Sequence, residues 1–250
     1  MSNALFNALL ELGDDHLILG HRVSEWCGHA PLLEEDLAMP NMALDNIGAS
    51  RNLYTYAGEV EGKGRDEDQL AYLRMDREYK NCLLVERPNE DFAHTMLRQL
   101  YFAAFMEPYW QAALSSTDET IRGIAGKAVK EMAYHIRHAG EWVIRLGDGT
   151  TESAERMKAA VVEMTPYVEE LFVMSDDAKA CAEQGILPDR EALRTQWGQT
   201  ISNIFDQALL ELPDVKFPQL GGRIGHHGEE MGFLLAQLQY VQRAYPGMSW

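Results

Sequence analysis

Residues 119–149 read ETIRGIAGKAVKEMAYHIRHAGEWVIRLGDG, and this stretch gives the clearest indication of the fold. Apolar or small side chains recur at every third or fourth position, the period of one helix face. They are Ile121, Ala125, Ala128, Met132 and Ala139. His135 falls on the same face, Ser116 and Glu119 have the spacing of a capping box, and Gly147-Asp-Gly149 is typical of a helix end. The stretch therefore predicts one long amphipathic helix.

Further segments on both sides of this helix show the same spacing of apolar side chains. They span residues 6–17, 37–54, 92–106, 152–173, 193–208 and 231–245. Pro40 predicts a late start or a kink in its helix, because proline lacks an amide hydrogen, and Asn89 is the predicted N-cap of the next. No segment alternates apolar and polar residues as a half-buried strand does. We therefore predict an all-α protein.

The lengths of the connections predict how these helices are arranged. Short joins around residues 28–33 and 115–118 make helices one and two, and helices three and four, antiparallel neighbours. Residues 62–88 form a long polar connection between these hairpins. Two hairpins joined by one long crossover are typical of a ferritin-like four-helix bundle, although an up-and-down bundle of other topology remains open. We predict a single ferritin-like domain over residues 1–250, with its core bundle at about 2–147 and additional C-terminal helices at about 151–250.

Charge and composition exclude several classes of protein. The formal net charge is −17, whereas a nucleic-acid-binding protein must neutralise phosphates with basic side chains. The cysteines are scattered and form no Cys-x-x-Cys pair, which fits a reducing compartment. No basic residue precedes the first apolar positions as in a signal peptide, and no stretch has the roughly 20 apolar residues of a membrane span. We therefore expect a cytoplasmic protein that binds neither nucleic acid nor membrane.

A ferritin-like bundle can be tested for a di-iron site from the sequence. Such a site takes a carboxylate from each of two helices and a Glu-x-x-His pair from each of the other two, all at one depth. Helix one offers Asp14 or Asp15 as its carboxylate. If helices one and two fold about residue 31, Asn46 lies level with Asp15 and His16. Asn46 and Ala49 then stand where a Glu-x-x-His pair would be, and neither is a competent iron ligand.

Helices three and four are equally poor in ligands. Folded about residue 117, they place Met132 and His135 level with residues 99–102. There is no carboxylate from residue 92 to residue 106, and Met132 stands where the glutamate before His135 would be. One carboxylate and one imidazole cannot hold two hard, charged irons. We therefore predict no catalytic residue, no metal and no other cofactor in this chain.

Two competing interpretations remain open. Glu131 precedes His135 by four residues instead of three, and with Asp15 and Asp45 it could form an atypical site. The chain would then be a ferritin-like di-iron monooxygenase or an iron-binding protein in its own right. The other interpretation is a free-standing helical homodimer without an oxygenase partner.

Four stretches are specific enough to indicate a family: SEWCGHAP at 24–31, ALDNIGASR at 43–51, KEMAYH at 130–135 and QYVQRAYPGMSW at 239–250. Together they resemble the phenylacetyl-CoA epoxidase A/C subunit family over nearly the whole chain, and most closely its C subunits. In the catalytic A subunit of that family, a Glu-x-x-His pair stands where this chain has Asn46 and Ala49.

The resemblance implies a role and a partner. The chain would be a structural, non-catalytic subunit that supports the catalytic A subunit, which carries the di-iron centre. The assembly is a multicomponent monooxygenase of aerobic phenylacetate catabolism that epoxidises the ring of phenylacetyl-CoA with electrons from a reductase subunit. Self-association of the chain when alone, as a homodimer, remains open.

A polar cluster near the C-terminus is a further candidate for contact with that partner. It consists of His226, His227, Glu229 and Glu230. Because carboxylates are favourable at a helix N-terminus, the simpler interpretation is the start of the last amphipathic helix. The alternative is a contact surface for the catalytic A subunit.

Overall fold

The structure, a computed structural model, describes residues 2–248. Within this range the chain forms eleven α-helices and no β-strand, so the predicted all-α class is confirmed. The long helices are α1 (Ser2–Ser24), α2 (Leu33–Glu61), α5 (Phe92–Ala113) and α6 (Glu119–Gly147). The shorter ones are α3 (Glu67–Tyr72), α4 (Leu83–Glu86), α7 (Thr151–Met164), α8 (Asp176–Glu183), α9 (Arg194–Ala208), α10 (Glu229–Leu238) and α11 (Tyr240–Ala244).

The chain divides into two compact units that are interleaved along the sequence. The first consists of the described parts of Met1–Pro88, Ser175–Cys181 and Gly221–Trp250, and the second of Asn89–Met174 and Ala182–Leu220. The first therefore contains the hairpin of α1 and α2 together with α10 and α11. The second contains the hairpin of α5 and α6 together with α7 and α9. A single ferritin-like domain over residues 1–250 stays a prediction.

The hairpin of α1 and α2 depends on a close approach of the two helices. Gly13 has no side chain, and a β-carbon there would lie 2.5 Å from Cε1 of Tyr54. Ser50 also donates a hydrogen bond from Oγ to the carbonyl oxygen of Gly13, at 2.8 Å. Further along the pair, His16 lies beside Asn46. The predicted register about residue 31 is thereby confirmed.

The hairpin of α5 and α6 packs mainly through apolar and aromatic side chains. Helix α5 is buried over nearly its whole length. Phe92 meets the ring of Trp142 edge-on, with centroids 5.0 Å apart, and such pairs add about 0.5–1.5 kcal/mol beyond the burial of their area. Gln99 lies beside His135, which confirms the predicted register about residue 117.

The predicted helix starts were wrong in detail. The N-cap of α5 is Asp91, whose side chain accepts from the amide of His94, and not Asn89. The N-cap of α6 is Asp118, and not Ser116. In both cases the aspartate lies nearer to the helix and a carboxylate stabilises its positive end. The predicted end of α6 at Gly147 is confirmed.

Helix α2 does not start late, so this part of the prediction for Pro40 was wrong, whereas a kink stays a prediction. It begins at Leu33 and contains Pro40. Its first turn carries Glu34, Glu35 and Asp36, which are favourable at the positive end of the helix dipole. The turn before the proline is therefore stable enough to remain helical.

The connection between α2 and α5 is more ordered than a polar loop. It contains α3, a 3₁₀ turn at Asp76–Glu78 and α4. Six of its apolar side chains are buried, namely Leu70, Ala71, Tyr79, Cys82, Leu84 and Val85. The connection is long, as predicted, but it is not purely polar, because these side chains contribute to the core of the first unit. That it forms the crossover of a four-helix bundle stays a prediction.

Candidate functional site

Asp15 of α1, which stands at a ligand position of a di-iron bundle, is buried and bound by an arginine. Arg223 approaches it with both terminal nitrogens, Nη1 to Oδ1 at 2.9 Å and Nη2 to Oδ2 at 2.8 Å. The amide of Cys82 donates to Oδ1 at 2.7 Å. Burial alone would lower the pKa of Arg223, but the charge and hydrogen bond of Asp15, together with Cys82 and Glu11, outweigh it and the pKa is raised. The guanidinium therefore supplies the positive charge that a buried carboxylate requires.

The neighbouring Asp14 forms a second buried ion pair, with Arg74. Nη2 of Arg74 and the hydroxyl of Tyr54 both donate to Oδ1 of Asp14, and Nη1 of Arg74 donates to Oδ2 at 3.1 Å. The amide of Lys80 also donates to Oδ2, at 2.6 Å. Burial and the charge of Asp14 raise the pKa of Tyr54, so its hydroxyl remains a donor. Asp14 and Asp15 are thus each held by an arginine from a distant part of the first unit.

The predicted positions on α2 offer no metal ligand. Oδ1 of Asn46 lies 2.8 Å from Nδ1 of His16, and Nδ2 donates to the carbonyl oxygen of Met42 at 2.9 Å. Ala49 is buried and has no donor atom in its side chain. The amide of Asn46 therefore links the two helices of the hairpin.

In the second unit, Met132 and His135 are buried on α6. Nδ1 of His135 lies 2.9 Å from Nε2 of Gln99 on α5. The amide of Gln99 and the thioether of Met132 therefore stand where a hard cation such as iron requires carboxylates. Glu131, the carboxylate of the competing interpretation, binds Nζ of Lys127 one turn earlier, at 3.0 Å.

These donors do not fit a di-iron centre. Asp15 is neutralised by Arg223, and Asn46 on α2 and Met132 on α6 stand at positions where such a centre requires glutamates. Among residues 2–248, no group of three or more His, Cys, Asp or Glu side chains is arranged to hold a metal ion. That the chain binds no iron stays a prediction, and so does the atypical site of Asp15, Asp45, Glu131 and His135.

The polar cluster at residues 226–230 is divided between surface and interior. His226 and Glu229 are exposed, whereas Glu230 is partly buried and lies 3.9 Å from Arg87. The side chain of His227 is buried, with Nδ1 at 2.7 Å from Oε2 of Glu86 and Nε2 at 3.0 Å from the carbonyl oxygen of Tyr79. Contact of this cluster with a partner subunit stays a prediction.

His227 is protonated and anchors the start of α10. Both atoms that face its ring nitrogens, a carboxylate and a carbonyl oxygen, can only accept, so both nitrogens must donate. Burial alone would lower the pKa of His227, but the hydrogen bond and charge of Glu86 outweigh it and the pKa is raised above 6.5. Glu86 also accepts from the amide of Gly228 at 2.6 Å. The pair therefore anchors the N-terminus of α10 to α4.

This anchor should make the free energy of unfolding depend on pH. Because the folded pKa of His227 is raised, its contribution is fully present below pH 6.5 and is lost as the pH rises through the folded pKa. We expect His227→Gln to lower the free energy of unfolding by about 1–3 kcal/mol at pH 6 and by much less at pH 9. Urea denaturation at both pH values measures this difference.

The matched control is His226→Gln, because His226 is exposed beside the anchor. It should leave the stability nearly unchanged at both pH values. An effect of His227→Gln that is the same at pH 6 and pH 9 would contradict a charged His227.

Three residues of this site were not identified from the sequence: Arg74, Glu86 and Arg223. Each is buried, and each pairs with a residue far away along the chain. For Arg223, the sequence shows only that it stands in the glycine-rich run GGRIG at 221–225. Glycines have no side chain with which an arginine could interact, so an arginine in such a run suggests a partner elsewhere. No spacing rule connects it to Asp15.

Comparison with known proteins agrees with the motifs. The family model PaaA_PaaC, described as Phenylacetic acid catabolic protein, matches residues 1–250. The C subunit of the 1,2-phenylacetyl-CoA epoxidase of Escherichia coli (strain K12) is 40% identical over 248 residues, which cover 99% of this chain and 100% of that protein. In residues 2–248, no helix is both long and apolar enough to cross a membrane. The chain belongs to the phenylacetic acid catabolic protein family.

Proposed function

We propose that this chain is the non-catalytic structural subunit of a 1,2-phenylacetyl-CoA epoxidase. It would support a di-iron catalytic A subunit in the ring epoxidation of phenylacetyl-CoA during aerobic phenylacetate catabolism. The observation that carries the proposal is the buried pair of Asp15 and Arg223, in which a guanidinium binds the carboxylate at the ligand position. The similarity to the Escherichia coli C subunit supports the assignment to this complex.

The arginines give α1 a source of rigidity that requires no metal. In a metal-binding bundle, the cation neutralises the inward carboxylates and holds them in place. In this chain Arg223 and Arg74 do so for Asp15 and Asp14. These ion pairs support a first unit that would be ordered without iron, as a subunit that supports its partner requires.

The negative net charge of the chain suggests that another subunit of the complex binds the substrate. With 39 acidic against 22 basic side chains, it is a poor site for the phosphates of coenzyme A. Cys27, Cys82 and Cys181 are free thiols, which fits the reducing cytoplasm. We therefore propose that substrate and iron both bind to the catalytic A subunit, in the cytoplasm.

The test is reconstitution of the complex with the catalytic A subunit and the reductase. We expect epoxidation of phenylacetyl-CoA to require this chain. The double replacement Asp15→Leu with Arg223→Met removes the carboxylate without leaving a lone buried charge, and we expect it to keep the rate of the assembly within about threefold. Replacement of an iron ligand in the catalytic A subunit is the control that abolishes turnover.

Two outcomes would contradict the proposal. One is a loss of about 100-fold or more in turnover by the double variant while its fold and its binding to the catalytic A subunit are intact. The other is full activity of the catalytic A subunit with the reductase when this chain is left out.

A further inference from the structure

The outer face of α2 carries a line of exposed apolar side chains. Leu33, Leu37 and Leu44 are 72%, 62% and 64% exposed. Pro40 and Ile47 lie on the same line and are partly buried. We call these five residues the α2 seam.

The spacing of the α2 seam is that of a helix interface. Its members follow one another at intervals of four, three, four and three residues, which is the heptad pattern of positions a and d. Single exposed leucines are ordinary, but an aligned apolar stripe marks a binding surface. The seam is therefore suited to pack against one helix of another molecule.

The charges beside the seam exclude a second copy of this chain as the best partner. Residues 31–50 contain four carboxylates and no Lys, Arg or His. Glu34 is exposed and Asp36 partly buried, both next to the seam. A second copy would bring the same four carboxylates and no basic side chain in this segment. Two copies that pack seam to seam, in either direction, would therefore bring like charge towards like charge, which disfavours pairing.

We infer that the α2 seam binds an amphipathic helix of a different chain, in which Lys or Arg side chains flank an apolar stripe. Apolar packing then supplies the affinity, while the basic flanks meet the carboxylates of residues 31–50 and select the partner. The inference rests on the proposed function in one respect, because that function identifies the partner as the catalytic A subunit.

The test compares two double variants in their binding to the purified catalytic A subunit. The first, Leu37→Ser with Leu44→Ser, removes the centre of the seam. The control, Val162→Ser with Phe217→Ser, removes two side chains that are 65% and 81% exposed in the second unit. Because burying a leucine is strongly favourable, we expect the seam variant to weaken binding by about 100-fold and the control to change it less than threefold.

Charge is tested separately with Glu34→Lys at low and high salt. We expect weaker binding than that of the unaltered chain at low salt and a smaller dependence on salt, because one attractive pair is replaced by repulsion. A salt dependence identical to that of the unaltered chain would overturn the basic character of the partner helix.

The outcomes separate this inference from the proposed function. If the unaltered chain does not bind the catalytic A subunit, the proposed function fails. If it binds and the seam variant binds equally well, or if the control is weakened as much, the inference is overturned and the function stands. A chain that is dimeric alone and becomes monomeric in the seam variant, with unchanged binding to the catalytic A subunit, would show that the occupant is a second copy and would also overturn the inference.

Discussion

Replacement of Arg223 by methionine is expected to lower the free energy of unfolding by about 3–5 kcal/mol, because it leaves Asp15 buried without its counter-ion. Asp15 is 1% exposed, and only the amide of Cys82 would remain among the donors described above. Urea denaturation followed by far-UV circular dichroism measures the loss.

The double variant Asp15→Leu with Arg223→Met is the matched control for this loss. It removes both charges, and replacing a buried ion pair by apolar side chains is often neutral or stabilising. We therefore expect it to recover most of the stability that Arg223→Met loses. A double variant as unstable as the single one would show that packing of the arginine, and not its charge, holds this region.

Replacement of Arg74 by methionine is expected to cost a similar amount, about 3–5 kcal/mol. Arg74 binds Asp14 through both terminal nitrogens, and its guanidinium lies 4.2 Å from the ring centroid of Tyr79. Arg74→Lys keeps the positive charge but cannot form the bidentate contact with Asp14, so we expect a loss smaller than that of Arg74→Met. The same denaturation experiment compares the two variants, and equal losses would contradict a role for the guanidinium geometry.

The two ion pairs are expected to be coupled. Asp14 accepts from the amide of Lys80, and Arg223 donates to the carbonyl oxygen of the same residue, at 2.9 Å. A shift of this backbone segment in one variant therefore disturbs the other pair. A double-mutant cycle should show a coupling energy of about 0.5–3 kcal/mol between Arg74 and Arg223.

The long helices could be predicted from the sequence because their apolar spacing persists over many turns. The register of both hairpins also followed, since equal distance from a short turn fixes which residues are neighbours. His16 beside Asn46 and Gln99 beside His135 were obtained in this way. The caps were less certain, because serine, asparagine and aspartate close to one helix start compete for the same role.

The buried charges of the connection at 62–88 could not be predicted for a different reason. Arg74 is buried against Asp14 and Glu86 is buried against His227. A charge can be buried only if its partner is supplied. Asp15 and Arg223 are separated by 208 residues, so only the folded chain shows that the partner is present.

We propose that this chain supports a di-iron subunit and holds no iron itself. The iron content of the purified chain, expressed with iron supplied, should be measured for the chain alone and together with the catalytic A subunit. We predict no stoichiometric iron in the chain alone, with iron in the complex located in the catalytic A subunit. About two irons per chain in the protein alone, as a complete di-iron site would hold, would contradict the claim.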